Sequence, residues 1–524
     1  MAGTGSPLSD PPRTGALGEF LAAAGGAQAI EITALTRLRG GALQENWGLD
    51  ARFSGGVLDG QQRLVLRSSA ATGVAESLPR LQEFAVQKAA FAAGVTVAEP
   101  LFASEDPAIL GKPFFIMRRA HGIAGPERIT GDPAFDPVLA LIAERLGREL
   151  ARIHTIRPPR ADLAFLVPYA EKGPLRQIAG FRAYLDRHPT PRPVLEWGIR
   201  WLETHLPPPA EPVLCHHDFR TGNYMLDGGM LTAILDWEFA GWGDPYEDIG
   251  WFCCKSWRFA RLDREAGGIA DRAPFYRGYE SASGRPIDDQ RVRFWEVFAS
   301  VRWAMIALQQ TDRHMIGGER DLDLALTGRR ATECELELLM LLDAGREPSS
   351  RAPDSPRVKP GGPASPIRGA ILSTPDLPSG AALLALARAV LVDELVPLLP
   401  EEHREQALLV ARCMAIEQRE AAIDETLEHE LRELYGAAAD PDQLLARFAC
   451  DLRNGAFENS PDREPSARAM LWRLTIAKLR QSNPEFLAAN GFDQPGGVVG
   501  RTEPCPSPVS GQRSTPSPAA KSSS

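Results

Sequence analysis

The stretch VLCHHDFRTGNYMLDGGMLTAILDWEFAGWGDPYEDIGW, residues 213–251, decides how the rest of the chain is read. Leu214 and Cys215 close an apolar run of strand character. His216, Asp218, Arg220 and Asn223 follow in a polar loop. Residues 224–226 and 231–235 then flank Asp227-Gly228-Gly229, a hairpin signal, because glycine supplies the positive φ of tight hairpin turns. The hairpin returns the chain to Asp236, enclosed by Leu235 and Trp237. Asp244 and Asp248 stand just beyond, around Pro245.

This spacing has chemical content. Phosphoryl transfer needs one carboxylate to orient the acceptor hydroxyl, and oxygen ligands to hold Mg²⁺ on the phosphates of ATP. The pattern HxDxxxxN supplies the carboxylate as Asp218 and an amide ligand as Asn223, and the hairpin brings a second carboxylate, Asp236, to the same mouth. Base, amide ligand and metal carboxylate follow one another in this order in kinases. Asp218 is therefore read as the catalytic base, Asn223 and Asp236 as Mg²⁺ ligands, and His216 as a buried strut under the loop. Asp244 and Asp248 are read as braces that accept backbone N–H groups of the loop, or as caps of the helix starting near Pro245, in preference to a third metal carboxylate. Arg220 either places a substrate phosphate or pairs with one of those two acids; the sequence leaves both open.

Upstream, residues 29–38, 49–53 and 63–67 read as three strands, with a glycine-bearing turn over 39–47. Gly40 and Gly41 would let backbone N–H groups approach phosphate oxygens, although plain hairpin corners use the same pair. Arg67 is a charge at the end of the apolar strand RLVLR. Kinases carry a phosphate-holding lysine at the corresponding place, and a guanidinium fork does the same work bidentately. The helix expected over 76–93 offers Glu83 as the partner of Arg67. A strand over 113–117 runs into a polar linker, where an adenine would bond to main chain near Met117, Arg118 and Ala120. Beyond residue 135 the periodicity turns helical, over 139–156, 181–186, 194–205, 249–259, 274–281, 291–310 and 322–342. The fold class expected is α+β and bilobal like a protein kinase: a β-rich lobe over residues 15–121 and an α-rich lobe over 122–345, with the nucleotide in the cleft.

Bulk properties narrow the remaining choices. The 524 residues carry a formal net charge of -10, which argues against nucleic-acid binding. The 7 cysteines form no CxxC pair, the usage of a reducing cytoplasm. No basic segment followed by an apolar core opens the chain, so no signal peptide is expected. The most apolar long stretch, 381–399, contains Arg388, Asp393 and Glu394 and reads as an amphipathic helix, with no membrane span. Residues 346–378 are a Pro/Ser/Gly-rich linker, and residues 1–14 and 491–524 are expected to be disordered. Between them lies a helical accessory domain, 379–490, with helices over 383–398, 407–434, 444–448 and 467–479. It offers no catalytic constellation and reads as an interaction module.

With these residues in view, residues 16–342 resemble the aminoglycoside phosphotransferase-like (APH) family of small-molecule kinases. The resemblance rests on GGALQENW, VLR, QEF, HHDFRTGN, ILDWE and GDPYED, of which the last three are the specific ones. It implies ATP and Mg²⁺ as cofactors, a small-molecule alcohol as acceptor and a base at Asp218. Trp237-Glu238 stands where protein kinases have Phe-Gly, so no phosphorylation-controlled activation loop is inferred. The chain looks most similar to the branch associated with acyl-CoA dehydrogenases, in which arginine at the third-strand position looks usual. That branch implies a hydroxyacyl-CoA or related acyl intermediate as acceptor, its hydroxyl turned into a leaving group, and an acyl-CoA dehydrogenase as partner. Two alternatives stay open: an aminoglycoside or amino-alcohol (choline-type) kinase, and a nucleotide-binding scaffold without catalysis. The arginines between residues 258 and 313 lean slightly toward an anionic acceptor, and a solvated helix surface explains them as easily. The C-terminal block resembles a small uncharacterised helical domain found with such kinases.

Overall fold

Alternation of apolar residues builds the first lobe. The computed structural model describes residues 14–38, 44–69, 77–259, 261–319, 321–343, 380–420, 425–435, 441–458 and 460–492. Strands β1 (Ala29–Arg37), β2 (Gln44–Ser54), β3 (Gly60–Ser69), β4 (Pro100–Ser104) and β5 (Phe114–Arg118) form one antiparallel sheet in the order β1-β2-β3-β5-β4. Along β3, Leu64 and Leu66 enter a cluster with Leu17, Leu21, Leu49 and Phe114 beneath the helix Thr14–Gly25. Successive strand residues point to opposite faces, so Arg67 is turned to the other side, where the helix Arg80–Ala92 lies. Phe84 of that helix meets Phe115, the residue opposite Arg67, with ring centroids 5.8 Å apart.

Two local expectations change here. Residues 44–47, read as part of a turn, belong to β2 and pair with β3, because Trp47 buries its ring in the cluster under the sheet and carries its neighbours into the ladder. Strand β4 had no readable signal: its sequence is PLFAS, and all five positions are half-buried, so there is no alternation to detect. Gly40 and Gly41 lie outside the described residues, as do 1–13, 344–379 and 493–524, which take in the expected linker and nearly all of both expected disordered ends.

The second lobe is helical around two small two-stranded sheets. Strand β6 (Val213–Cys215) pairs with β9 (Gly241–Gly243), and β7 (Tyr224–Asp227) pairs with β8 (Met230–Ile234). The helices Asp136–Ile153, Pro193–Thr204, Pro245–Cys253, Arg272–Ser283 and Asp289–Met315 surround them. The helix expected over 322–342 is two, Leu322–Arg329 and Ala331–Asp343. The lobes are joined by a shared core, in which Val86, Ala90 and Val97 meet Leu150, Trp237 and Phe252. Main-chain bridges add to it: Val97 pairs with Ile234, and Ile123 with Leu226. Thr96 donates its N–H (2.8 Å) and its hydroxyl (3.0 Å) to the buried carboxylate of Glu149.

The C-terminal block packs directly on this lobe. Leu444, Phe448, Leu471 and Trp472 enter the same apolar cluster as Ile199, Phe298 and Leu338. Arg453 reaches Glu196 (2.6 Å) and Asp186 (2.5 Å), while Trp472 Nε1 donates to Asp343 (2.7 Å), which also pairs with Arg468. The helix expected over 383–398 stops at Ala389; Val390–Leu395 winds as a π-helix and Val396–Leu398 as 3₁₀. Pro397 has no N–H to continue the ladder. The helix expected over 407–434 is described as two, Glu401–Glu420 and Glu425–Tyr435. Among the described residues, no helix is long and apolar enough to cross a membrane.

Candidate active site

The loop between β6 and β7 is fixed from below by one buried carboxylate. Asp248, in the helix Pro245–Cys253, is fully buried and accepts the N–H groups of His216 and His217, both at 2.7 Å. His154 Nε2 lies 3.2 Å from it. Burial pushes the Asp248 carboxyl upward, but the hydrogen bond and charge of His154, with His217 and His216 nearby, outweigh it and hold the group below its usual range. Asp244 caps the same helix in a capping box with Glu247 and pairs with Arg291 at 2.7 Å. Burial raises its carboxyl. Both acids thus sit under the loop, engaged with protein donors.

His216 is fully buried and joins loop to hairpin. Its Nδ1 accepts the Asp218 N–H at 3.3 Å, so its Nε2 carries the proton donated to Leu235 O at 2.8 Å. Leu235 N–H in turn donates to Asn223 O at 2.8 Å. The turn that makes this return possible is Gly228-Gly229, at φ 53° and 82°, the left-handed pair a two-residue hairpin loop needs. These bonds bring the stretch 218–223 and the residue before Asp236 together.

Above the struts lie the carboxylates. Asp218 receives Asn223 Nδ2 on Oδ2 at 2.6 Å, and Trp251 Nε1 (2.9 Å) and Arg220 Nε (3.0 Å) on Oδ1. Because the Asn223 amide turns its NH₂ to Asp218, its oxygen is the atom left for another partner. Asp236 has φ 66° and ψ 62°, a left-handed conformation that costs a non-glycine residue free energy and recurs at functional sites. Its side chain remains 27% exposed, so the carboxylate is reachable from the cleft. Arg67 Nη2 lies 2.5 Å from Asp236 Oδ1, and Arg67 Nε lies 2.8 Å from Glu83 Oε1. Burial would raise the Asp236 carboxyl, but the charge and hydrogen bond of Arg67 keep it below the ordinary value.

Asp218, Asn223, Asp236, Arg67 and Glu83 are therefore brought to one mouth between the lobes. Of the two roles left open for Arg220, the pairing with Asp244 or Asp248 is not the one seen: its guanidinium pairs with Asp218 at 3.0 Å. Met117, next to last in β5, has its sulfur 3.4 Å from Gln87 Nε2. Arg118 pairs at the surface with Glu99 at 2.5 Å and gives its N–H to Glu99 O, so neither its side chain nor its amide is directed into the cleft. Ala120 follows in the linker between the lobes. Two residues escaped sequence reasoning. Arg80 is buried, pairs with Glu83, bonds Leu78 O at 2.9 Å and approaches Glu238 at 3.5 Å. Its signal was a charge three residues before Glu83 on one helix. Trp251 closes on Asp218 from a position with no sequence signal beyond its place at the end of the helix.

A strand-borne arginine paired to a helix glutamate, facing a loop aspartate and asparagine and a hairpin aspartate, defines the kinase-like fold of small-molecule phosphotransferases. Residues 35–295 match the model of the family described as phosphotransferase enzyme family (APH), and the chain carries a domain of that family. Residues 397–486 match a domain of unknown function, DUF6285. Mouse acyl-CoA dehydrogenase family member 10 is 28% identical over 291 residues, 53% of this chain and 27% of that protein. Chicken acyl-CoA dehydrogenase family member 11 is 31% identical over 185 residues, 32% of this chain and 22% of its own length. The chain thus spans about a quarter of these curated relatives. A crystal structure assigned to the aminoglycoside phosphotransferases, from Ralstonia eutropha, is 22% identical with a TM-score of 0.49, covering 63% of this chain and 99% of the other.

Proposed function

We propose that this protein is an ATP- and Mg²⁺-dependent phosphotransferase that phosphorylates an alcohol group of a small molecule, with a hydroxyacyl-CoA or related acyl intermediate as acceptor. The observation that carries the reading is the bond between Asn223 Nδ2 and Asp218 Oδ2 at 2.6 Å, set beside the Arg67–Asp236 pair at the same mouth. Asp218 is the base. Three donors hold its carboxylate in one orientation, and it takes the proton of the acceptor hydroxyl as that oxygen attacks the γ-phosphorus. The new P–O bond replaces the bond to the bridging oxygen, which leaves with the electron pair on ADP. Arg67, oriented by Glu83, holds the α and β phosphates, assisted by the backbone at Gly40 and Gly41. The adenine lies against the main chain near Met117 and Ala120, with Arg118 contributing neither its amide nor its side chain, both of which are engaged with Glu99.

The residues present fit a magnesium ion. Asn223 and Asp236 offer hard oxygen donors, and the Asp236 carboxylate is both charged and reachable. When bound there, the ion neutralises charge on the β and γ phosphates. Names of relatives support the acyl assignment and an acyl-CoA dehydrogenase partner. All 6 described cysteines are free, in keeping with a cytoplasmic enzyme.

The test is ATP-dependent phosphorylation by the intact chain across 3-hydroxybutyryl-CoA, 3-hydroxybutyrate, choline and kanamycin. Phosphorylation of the acyl-CoA, lost by about 10²–10⁴ in Asp218→Ala, is expected. Full product formation by Asp218→Ala removes Asp218 as the base. Turnover of choline or kanamycin alone replaces the acceptor. Nucleotide binding without any transfer favours a scaffold.

A further inference from the structure

Beside Asp218 lies a small apolar cluster, with Trp251 and Trp257 buried in it and Trp303 packed against it, and guanidinium groups lie on its rings. Trp251, whose Nε1 donates to Asp218, lies 5.2 Å from Trp257, and Trp257 lies 4.9 Å from Trp303, measured between ring centroids. An arginine lies over each ring. Arg220 covers Trp257 at 4.6 Å, Arg302 covers Trp251 at 4.9 Å, and Arg330 covers Trp303 at 5.7 Å. Three indoles thus run in contact away from the base, and each carries a cation.

The three cations differ in their partners. Arg220 is paired with Asp218 at 3.0 Å, and Arg330 with Glu333 at 3.2 Å. Arg302 is half-buried, and among the described residues it has no carboxylate or other hydrogen-bond partner; its only contact of this kind is the face of Trp251. A guanidinium laid on an indole has already lost part of its water, and its fork keeps donors in a fixed plane suited to carboxylate or phosphate. One indole ring thus links Arg302 to Asp218, its Nε1 on the carboxylate and its face under the guanidinium.

We propose that Arg302 is the specificity-determining residue of the acceptor site and receives an anionic group, carboxylate or phosphate, of the molecule whose hydroxyl Asp218 orients. The inference rests on the phosphotransferase reading and adds the charge of the acceptor to it. The same cation excludes amino alcohols and aminoglycosides, because a positive acceptor meets an unneutralised guanidinium. Arg302 acts on binding, through the acceptor's charge, and takes no part in the proton transfer.

The experiment compares the intact wild type with Arg302→Gln and Arg302→Lys, using 3-hydroxybutyryl-CoA, 3-hydroxybutyrate, choline and kanamycin with ATP and Mg²⁺. An anionic acceptor is expected to be phosphorylated best. Arg302→Gln raises its KM by about tenfold or more with kcat held within about threefold, the loss of one charge-assisted contact to bound acceptor. Arg302→Lys recovers most of that loss, and the ADP dissociation constant and unfolding midpoint do not move, as they would if Arg302 only packed. The proposal is overturned if choline or kanamycin is the best acceptor, if KM is unchanged in Arg302→Gln, or if ADP binds and no anionic acceptor is phosphorylated. Failure of the phosphotransferase reading looks different: no nucleotide binds, or transfer survives Asp218→Ala.

Discussion

Arg67 on β3 and Asp236 at the corner after β8 are joined by a 2.5 Å Nη2–Oδ1 ion pair across the cleft, although 169 positions separate them. The guanidinium is divided between lobes: Nη2 faces the second, while Nε lies 2.8 Å from Glu83 of the first. Arg67→Ala leaves two carboxylates with less compensation in a buried setting. Removing one partner of such a cluster costs about 3–5 kcal/mol. Chemical denaturation should show that loss, and ADP affinity should fall about tenfold or more. Unchanged ADP binding in this variant would contradict a phosphate role for Arg67.

Asp236→Asn keeps the shape of the side chain and removes its charge. Arg67 retains Glu83, so folding should survive, while Mg²⁺-dependent turnover should be abolished. Circular dichroism and a coupled ADP-release assay separate the two outcomes. Turnover equal to wild type at the same Mg²⁺ concentration removes Asp236 from the metal site.

Asp248→Ala should destabilise the protein strongly. It orphans the N–H groups of His216 and His217, which are bonded to nothing else at that face of the loop. Two unsatisfied buried donors cost about 1–3 kcal/mol each. The pH dependence follows from the lowered folded carboxyl. A depressed pKa contributes stability that is present above the unfolded value, about 3.9 for aspartate, and is lost as pH falls through the lower folded value. The stability difference between wild type and Asp248→Ala should therefore be flat between about pH 5 and 7 and shrink only in stronger acid. A difference that vanishes already near neutrality refutes the brace.

Trp472→Ala tests the junction of the two blocks. Trp472 is buried in the cluster shared with Ile199 and Leu338 and donates to Asp343. Truncation of a buried tryptophan costs about 3–5 kcal/mol. Because the core is continuous, unfolding followed separately for the two blocks should shift together. A transition confined to residues 380–492 would mean that the C-terminal block is an independent unit.

Much of the active-site chemistry was legible because it is local. HHDFRTGN and ILDWE place base, amide and carboxylate on a loop and a hairpin whose turn residues dictate the return of the chain. Glu83 could be named because a helix after β3 has few acids that face the sheet. Arg80, Trp251 and Arg302 could not. Trp251 and Arg302 act through neighbours contributed by other elements, Arg80 pairs with Glu83 of its own helix, and an arginine or tryptophan on a helix reads the same whether it packs, pairs or receives a ligand. Strand β4 was illegible for a different reason: half-burial on both faces erases the alternation by which strands are recognised.

The sequence by itself determined that a hairpin carries Asp236 back beside the loop of Asp218 and Asn223, because glycine geometry and loop length settle that over a few residues. Only the tertiary structure decided which cations answer those acids. Arg67 reaches Asp236 through the docking of one lobe on the other, Arg220 turns to Asp218, and Arg302 is left on Trp251 without a counter-charge among the described residues. The C-terminal helices likewise have an amphipathic pattern that calls for a covering surface, but the surface is the second lobe itself, chosen by complementary apolar faces and the Arg453–Glu196 and Arg468–Asp343 pairs. Pairing at long range depends on where whole elements pack, and that is a property of the folded chain.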